Sequence, residues 1–584
     1  MNYKLKIDNN EQIGVFRTAF ERLTPLLVNE KKNLIIALTA VLISSATTLY
    51  APILISDIID KYIQNGNLKG VLMFSAILLL MYLFNLFSTY TQMATMGGVG
   101  RRMLFNLRNA LFNKLQELPV AFFDQNKTGD LISRINNDTD KLNQFFSQAL
   151  MQFVNNIMII IGAGIFLLVL NIRLGFSALI PALGVLILTQ LLSNWVRKAN
   201  LKSLQALGTM SAEIQESFNN FKVIVAFNRL DYFRNKFKQV NDDNYKASIS
   251  SGIASNIFLP IYTLAGNIAQ LIILSFGIYL ITQGNLTVGL LIAFLLYVNN
   301  FYNPLRQMAA VWSSLQLALA GIDRISEILE LESDMPIIIS ESFDKKSILE
   351  FRNVSFSYPN GSEVLHNINF SLERGKTYAI VGPTGGGKTT TASLMARLYD
   401  PTKGIVLLDG LDIRSYKHSE RTQKIGFILQ EPFLFAGTIM DNIICGNEKY
   451  INYSKKQLIE ALKELNLFNL LDHFEKGIDT KILSSGDTMS LGQKQLIAFI
   501  RAILRNPEVL ILDEATANVD TLTEQLLEEI LRKLPKSTTK IIIAHRLNTI
   551  ENADQIFFVN AGDITLAGSM KEAVGMLMHG KRES

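Results

Sequence analysis

Cysteine is nearly absent. A single one, Cys445, among 584 residues excludes an intrachain disulfide framework. With only five histidines beside it, the chain has little from which to build a zinc site. Charge is also scarce. Asp, Glu, Lys and Arg make up 18% of residues, against about 25% in soluble domains. Hydrophobic residues reach 49% and the mean hydropathy is +0.23. That balance excludes a disordered chain and argues against a wholly soluble one. The net charge of +5 is modest. Basic membrane loops account for it as well as a nucleic-acid partner would, and no nucleic-acid partner is expected. Residues 1–33 mix charges of both signs and lack an apolar stretch before a cleavage site. They read as a cytoplasmic lead-in to a membrane span, with no signal peptide.

What is abundant is long uncharged sequence. Leu34 to Ile55 carries no charge and suffices, as a helix, to cross a hydrocarbon core of about 30 Å. Gly70 to Gly100, Leu142 to Ile172 and Leu174 to Val196 are further uncharged runs. Ala247 to Leu305 is too long for one span, and Gln283-Gly284-Asn285 supplies turn chemistry inside it. The total is six spans. Basic residues concentrate between spans two and three (Arg101 to Lys141) and between spans four and five (Arg197 to Lys246). The positive-inside rule places those two segments and both termini in the cytoplasm. Arg101 to Glu117 and Ala199 to Glu216 keep helical periodicity, so the segments are expected to be helices extending from the membrane. The lone cysteine and the Asn, Ile and Lys usage suit a bacterial plasma membrane.

Beyond Pro304 the pattern changes. Helical periodicity continues to Leu331, and a short polar stretch, 332–346, reads as a linker. From residue 347 to 584, charge is frequent and short β-branched runs alternate with helical ones. Tyr378 to Val381, Val509 to Leu512 and Lys540 to Ile543 read as strands of a largely parallel sheet. The expected fold is a multi-domain membrane protein. An all-α six-helix transmembrane domain over 34–331 precedes an α/β P-loop ATP-binding domain.

Gly382-Pro383-Thr384-Gly385-Gly386-Gly387-Lys388-Thr389 follows the first of those strands and fits the P-loop pattern. Glycines let backbone N–H groups approach phosphate, and the helix N-terminus stabilises the anion. Lys388 would reach the β- and γ-phosphates, and the Thr389 hydroxyl would ligate Mg²⁺. Val509 to Leu512 ends in Asp513-Glu514. Asp513 fits a role in holding Mg²⁺, and Glu514, one residue on, is placed to orient and deprotonate an attacking water.

Together these residues resemble the cassette of an ABC transporter, and the whole chain is similar to the exporter type. The resemblance implies ATP and Mg²⁺ as cofactors. It makes Tyr358 the adenine-stacking aromatic, Thr390 part of the ATP-binding set with the P-loop residues, and Gln430 a glutamine at Mg²⁺. Asp520 becomes the D-loop aspartate and His545 the histidine at the γ-phosphate. Catalysis falls to Glu514, His545, Lys388 and Gln430, and the metal to Thr389, Gln430 and Asp513. Met489-Ser490-Leu491-Gly492-Gln493 lies where the LSGGQ signature belongs, with Leu491 in place of a glycine. Ser484 stands where a glutamate is usual. Leu118 to Asp124 with Thr128-Gly129-Asp130, and Phe221 to Asn228, match the segments at the two coupling helices.

An altered signature beside an intact Glu514 resembles one subunit of heterodimeric exporters, so a second half-transporter is implied, in preference to a homodimer. The implied activity is ATP-driven export, or leaflet translocation, of a small hydrophobic or amphipathic substrate by nucleotide-domain dimerisation and hydrolysis. The partners are the second subunit, the lipids and that substrate. A homodimeric lipid or peptide exporter, or an ATP-regulated channel, stays open as the alternative. Polar residues within the spans, Gln92, Asn155, Asn156, Gln190, Asn194, Asn267, Gln270, Asn299 and Asn300, either face a cavity or bond between helices.

Overall fold

The computed structural model describes residues 3–5, 30–333, 335–343, 345–359, 361–483, 489–513, 521–543, 553–567 and 570–579. It divides into two compact units. One comprises Lys6–Gln116 and Gly129–Glu330, the other Met1–Leu5, Glu117–Thr128 and Leu331–Ser584.

The first unit is helical. Among the described residues, six helices are long and apolar enough to cross a membrane: Lys31–Ile63, Leu68–Glu117, Thr128–Leu170, Ile172–Asn219, Leu230–Thr282 and Val288–Leu329. Their lengths settle what the basic segments do. Leu68–Glu117 runs 50 residues and Ile172–Asn219 runs 48, so each continues beyond its apolar stretch into charged sequence without a break. Gly284, at φ +69°, makes the expected turn inside the longest uncharged run. Pro304 does not end the last helix, which passes through it to Leu329. Proline removes one backbone donor, and a packed membrane helix tolerates that loss. The core gathers small residues of two helices, such as Ala163 and Ala178, with large ones of the last, such as Phe294 and Tyr297.

Several polar residues of the spans bond between helices. Ser45 Oγ donates to Asn155 Oδ1 at 2.9 Å, and Gln270 Nε2 to Asn299 Oδ1 at 2.9 Å. Asn85 Nδ2 reaches Thr47 Oγ1 at 2.7 Å and Ser44 O at 2.9 Å. Below the apolar stretches an ionic cluster joins two helices. Arg134, 1% exposed, pairs with Asp130 at 3.0 Å and Glu327 at 2.7 Å. Asp138, also 1% exposed, pairs with Lys141 at 2.8 Å and Arg324 at 3.1 Å.

The second unit is α/β. An antiparallel sheet has the order β2-β1-β4-β5, with β1 Leu349–Ser357, β2 Glu363–Leu372, β4 Lys403–Leu408 and β5 Leu411–Asp412. A six-stranded sheet has the order β12-β11-β3-β10-β9-β6, with β3 Thr377–Val381, β6 Ile425–Ile428, β9 Val509–Asp513, β10 Thr539–Ile543, β11 Gln555–Asn560 and β12 Asp563–Ala567. All its neighbours are parallel except β11 and β12, and β7 Gly437–Thr438 pairs antiparallel with β8 Lys481–Ile482 in a separate two-stranded sheet. Every residue of β9 is buried, which explains its unbroken apolar run. The stretch before β1 is laced to this unit. Arg397 donates to Pro336 O at 2.8 Å, and Phe343 N donates to Gly410 O at 2.7 Å.

Candidate functional site

Parallel strands deliver the motifs to one edge of the sheet. Ile543 lies in register beside Ile380 on one side and Asp513 on the other. The chain segments that follow β3, β9 and β10 therefore start from the same edge, the carboxyl ends of the strands, where open α/β sheets place ligands.

The loop after β3 depends on its glycines. Gly382 has φ +154°, and a Cβ there would stand 1.9 Å from Val559 O. Gly387 has φ +110° and caps the helix Lys388–Met395, where a Cβ would stand 2.7 Å from Leu365 Cδ2. Only glycine fits both the backbone and the space. Gly387 has no side chain to bond the helix start, so the first-turn N–H groups are available to an anion. Pro383, Thr384 and Gly385 are exposed, whereas Gly386 is buried. Lys388 is buried, and its ammonium folds over the loop, donating to Gly382 O and Pro383 O at 3.0 Å each.

Thr389 Oγ1 donates to Asp513 Oδ1 at 3.4 Å. Thr389 is exposed, and Asp513 is 3% exposed at the end of β9. A hydroxyl and a carboxylate converging beside a phosphate-type loop form an oxygen donor set that fits Mg²⁺. Gln430 follows β6, the neighbour of β9, and is exposed. Tyr358 follows β1 and is half-buried. Its hydroxyl lies 3.1 Å from Thr390 Oγ1 on the P-loop helix. Its ring meets those of Phe356 and Tyr399 edge-on, at 4.9 and 5.3 Å.

Ser490 is the N-cap of the helix Leu491–Ile503. Its Oγ accepts from Gln493 N at 3.2 Å, and Gln493 Oε1 accepts from Ser490 N at 3.1 Å, a capping box. Gln493 Nε2 also donates to His473 O at 3.1 Å. Leu491 therefore occupies the first helical position, half-buried, with Gly492 buried behind it. Glu514, Asp520, His545 and Ser484 lie outside the described residues.

Two residues near the site escaped the sequence reading. Tyr399 touches Tyr358, and its hydroxyl donates to the Asp124 carboxylate. Burial, followed by that carboxylate, pushes its phenol well above the usual tyrosine range. Arg501 holds the loop after β6, donating to Asn442 O at 2.7 Å and Phe433 O at 3.2 Å. An aromatic before Asp400-Pro401 and an arginine in the last turn of the helix Leu491–Ile503 were the signals available, and neither is specific.

Comparison with known proteins agrees with this geometry. Residues 34–305 match the family model of the ABC transporter transmembrane region, and residues 365–517 that of the ABC transporter. An uncharacterized ABC transporter ATP-binding protein of Bacillus subtilis, YfiC, is 32% identical over 95% of this chain and 91% of its own. A fatty acid ABC transporter ATP-binding/permease protein of Mycobacterium bovis is 32% identical over 85% of this chain and 78% of its own. YgaD of Bacillus subtilis, an ATP-binding/permease protein named for multidrug export, is 30% identical over 93% of this chain and 94% of its own. The chain therefore belongs to the ABC transporters of the exporter type, a multi-pass half-transporter that joins six membrane helices to one domain hydrolysing ATP.

Proposed function

We propose that the chain is one half of a heterodimeric exporter, built to move a small hydrophobic or amphipathic molecule across the plasma membrane, with its nucleotide-binding domain and both termini cytoplasmic. The observation that carries the site assignment is the convergence of Thr389 and Asp513, 3.4 Å apart, beside a glycine loop covered by Lys388. The P-loop N–H groups and Lys388 would hold the phosphates, Tyr358 would stack on the adenine, and Thr389, Asp513 and Gln430 would hold Mg²⁺. When bound, the ion would neutralise phosphate charge. Glu514 would take the proton of the attacking water, and His545 and the partner's signature would complete the site. Phosphoryl transfer of this kind relies on positioning and electrostatics.

The asymmetry rests on Leu491. At the first position of a helix aimed at phosphate, a glycine lets the backbone approach, and an isobutyl group keeps it away. Glu514 would then work against a partner that carries an intact signature. The basic segments Arg101 to Lys141 and Arg197 to Lys246 support the cytoplasmic orientation. Relatives named for fatty acid transport and multidrug export are in keeping with an apolar substrate.

Equilibrium binding of ATP to the Lys388→Ala variant tests the site. Loss of a charge-assisted contact to phosphate should weaken binding about tenfold or more. Affinity equal to the parent chain's would remove Lys388 from the phosphate site.

A further inference from the structure

The helix Val120–Gln125 has six residues, and no side chain caps its start at Pro119. So short a helix is unstable alone, and contacts outside it must hold it. Its Asp124 accepts from Tyr399 on the nucleotide-binding unit. The same end, at Gln125 and Asn126, is also bonded by residues 3–5.

Tyr3, Lys4 and Leu5 alternate as a strand does: Tyr3 is 1% exposed and Leu5 5%, with Lys4 exposed between them. The two buried residues present their backbone to side-chain amides in place of a neighbouring strand. Tyr3 N donates to Gln125 Oε1 and Leu5 N to Asn126 Oδ1, both at 3.0 Å. Asn126 Nδ2 returns a bond to Tyr3 O at 2.9 Å and also reaches Phe122 O at 2.8 Å, tying the segment to the helix backbone. The Tyr3 ring stands edge-on to that of Phe122, which is fully buried, with centroids 6.3 Å apart. The Tyr3 hydroxyl donates to Glu332 O at 3.4 Å, where the last membrane helix has just ended.

We propose that Tyr3–Leu5 is an intramolecular clamp that orders the helix Val120–Gln125 at its C-terminal end, with Tyr3 as its positioning residue. These residues lie outside both segments that match the family models, so the family resemblance does not supply the clamp. The role rests on the resemblance of Leu118 to Asp124 to the segment at the first coupling helix, which in that family would transmit nucleotide-domain movement to the spans. A helix whose C-terminal end is held by the Tyr399 hydroxyl, by amide bonds to residues 3–5 and by the Tyr3–Phe122 ring contact follows a displacement more closely than one held by Tyr399 alone.

The test is hydrogen exchange of the purified full-length chain in nanodiscs, with the buried strand Val509–Asp513 as internal reference. The Leu5 amide should be protected in the parent chain and lose protection in Asn126→Ala. Tyr3→Ala should speed exchange across residues 120–126 about tenfold or more, because it removes both the ring contact and the hydroxyl. Tyr3→Phe, which keeps the ring contact and loses the long bond to Glu332, should stay within about threefold of the parent. Unchanged exchange across 120–126 in both Tyr3→Ala and Asn126→Ala overturns the clamp. ATP·Mg added in a Glu514→Gln background, with the chain co-reconstituted with a second half-transporter that carries an intact LSGGQ, tests the role. In the chain with an intact clamp it should alter exchange at the charged ends of the membrane helices, and Tyr3→Ala should lose that response while ATP still binds. A full response in a loosened Tyr3→Ala overturns the positioning role. No response with the clamp intact defeats the transmission reading, and the clamp itself is then judged by residues 120–126.

Discussion

Replacing Leu491 by glycine should make the protein less stable and more active at once. Leu491 is half-buried at the first position of its helix, and the Ser490–Gln493 capping box does not use its side chain. Losing half the burial of a leucine costs about 1 kcal/mol. Glycine in place of leucine adds up to about 0.8 kcal/mol of helix propensity, less at a first position. The expected destabilisation is about 1–2 kcal/mol. Activity should move the other way. Restoring one backbone contact to phosphate supplies about 1.4 kcal/mol, a tenfold rise in the ATPase of the chain purified alone. The assay is Mg-ATPase of Leu491→Gly against the parent, with Leu491→Gly/Glu514→Gln as background control and a thermal melt beside it. A lower melting midpoint with unchanged ATPase would refute the argument that the leucine impairs the signature.

Further outcomes follow from single contacts. Arg324→Met should cost about 2 kcal/mol in detergent, because it takes one partner from buried Asp138, which Lys141 still pairs, and one from Asp130; adding Asp138→Asn should recover the part due to Asp138, and additive losses would deny that pair. Gly382→Ala should abolish ATP binding, measured by equilibrium titration, because its Cβ would stand 1.9 Å from Val559 O at a φ of +154°; retained binding would mean the loop can move away from β11. Burial works against the Glu508 charge, but hydrogen bonds from Lys424 and Arg374 outweigh it and hold the carboxyl below the usual glutamate range. That stabilisation is complete above the ordinary value of 4.5 and is lost as pH falls through the depressed one. The gap in melting midpoint between the parent and Glu508→Gln should therefore narrow on acidification from neutral pH to below that range, and a gap that widens would contradict the sign.

The most legible parts of the chain were those where one local pattern decides the structure. Tyr378 to Val381, Val509 to Leu512 and Lys540 to Ile543 appear as β3, β9 and β10 with ends shifted by at most one residue. Their apolar runs were bounded by glycine, proline or charge, and burial on both sheet faces leaves no competing pattern. Six spans were legible for a similar reason, because a bilayer demands uninterrupted apolar length. Long-range partners left no such trace. Nothing local in Leu118 to Asp124 says that residues 117–128 pack with the C-terminal unit. Nor does Tyr3, two residues from the start of the sequence, announce a burial that depends on Phe122 and Asn126, more than a hundred positions away. Tyr399 is the same case: its neighbour Tyr358 follows from the family resemblance, but their contact depends on how β1 meets the segment after the P-loop helix. Arg134 and Asp138 read as ordinary basic-loop charges, although both are 1% exposed, because their partner residues come from the last membrane helix.

The central claim is that this chain is one half of an asymmetric pair whose working Glu514 needs another chain's signature. The most direct test is the Mg-ATPase of the chain expressed and reconstituted alone, against Glu514→Gln, with and without co-expression of a second half-transporter that carries an intact LSGGQ. The account predicts negligible activity alone, and Glu514-dependent activity on co-expression. Robust activity of the chain alone, abolished by Glu514→Gln, would contradict it and make the protein a homodimer that tolerates Leu491.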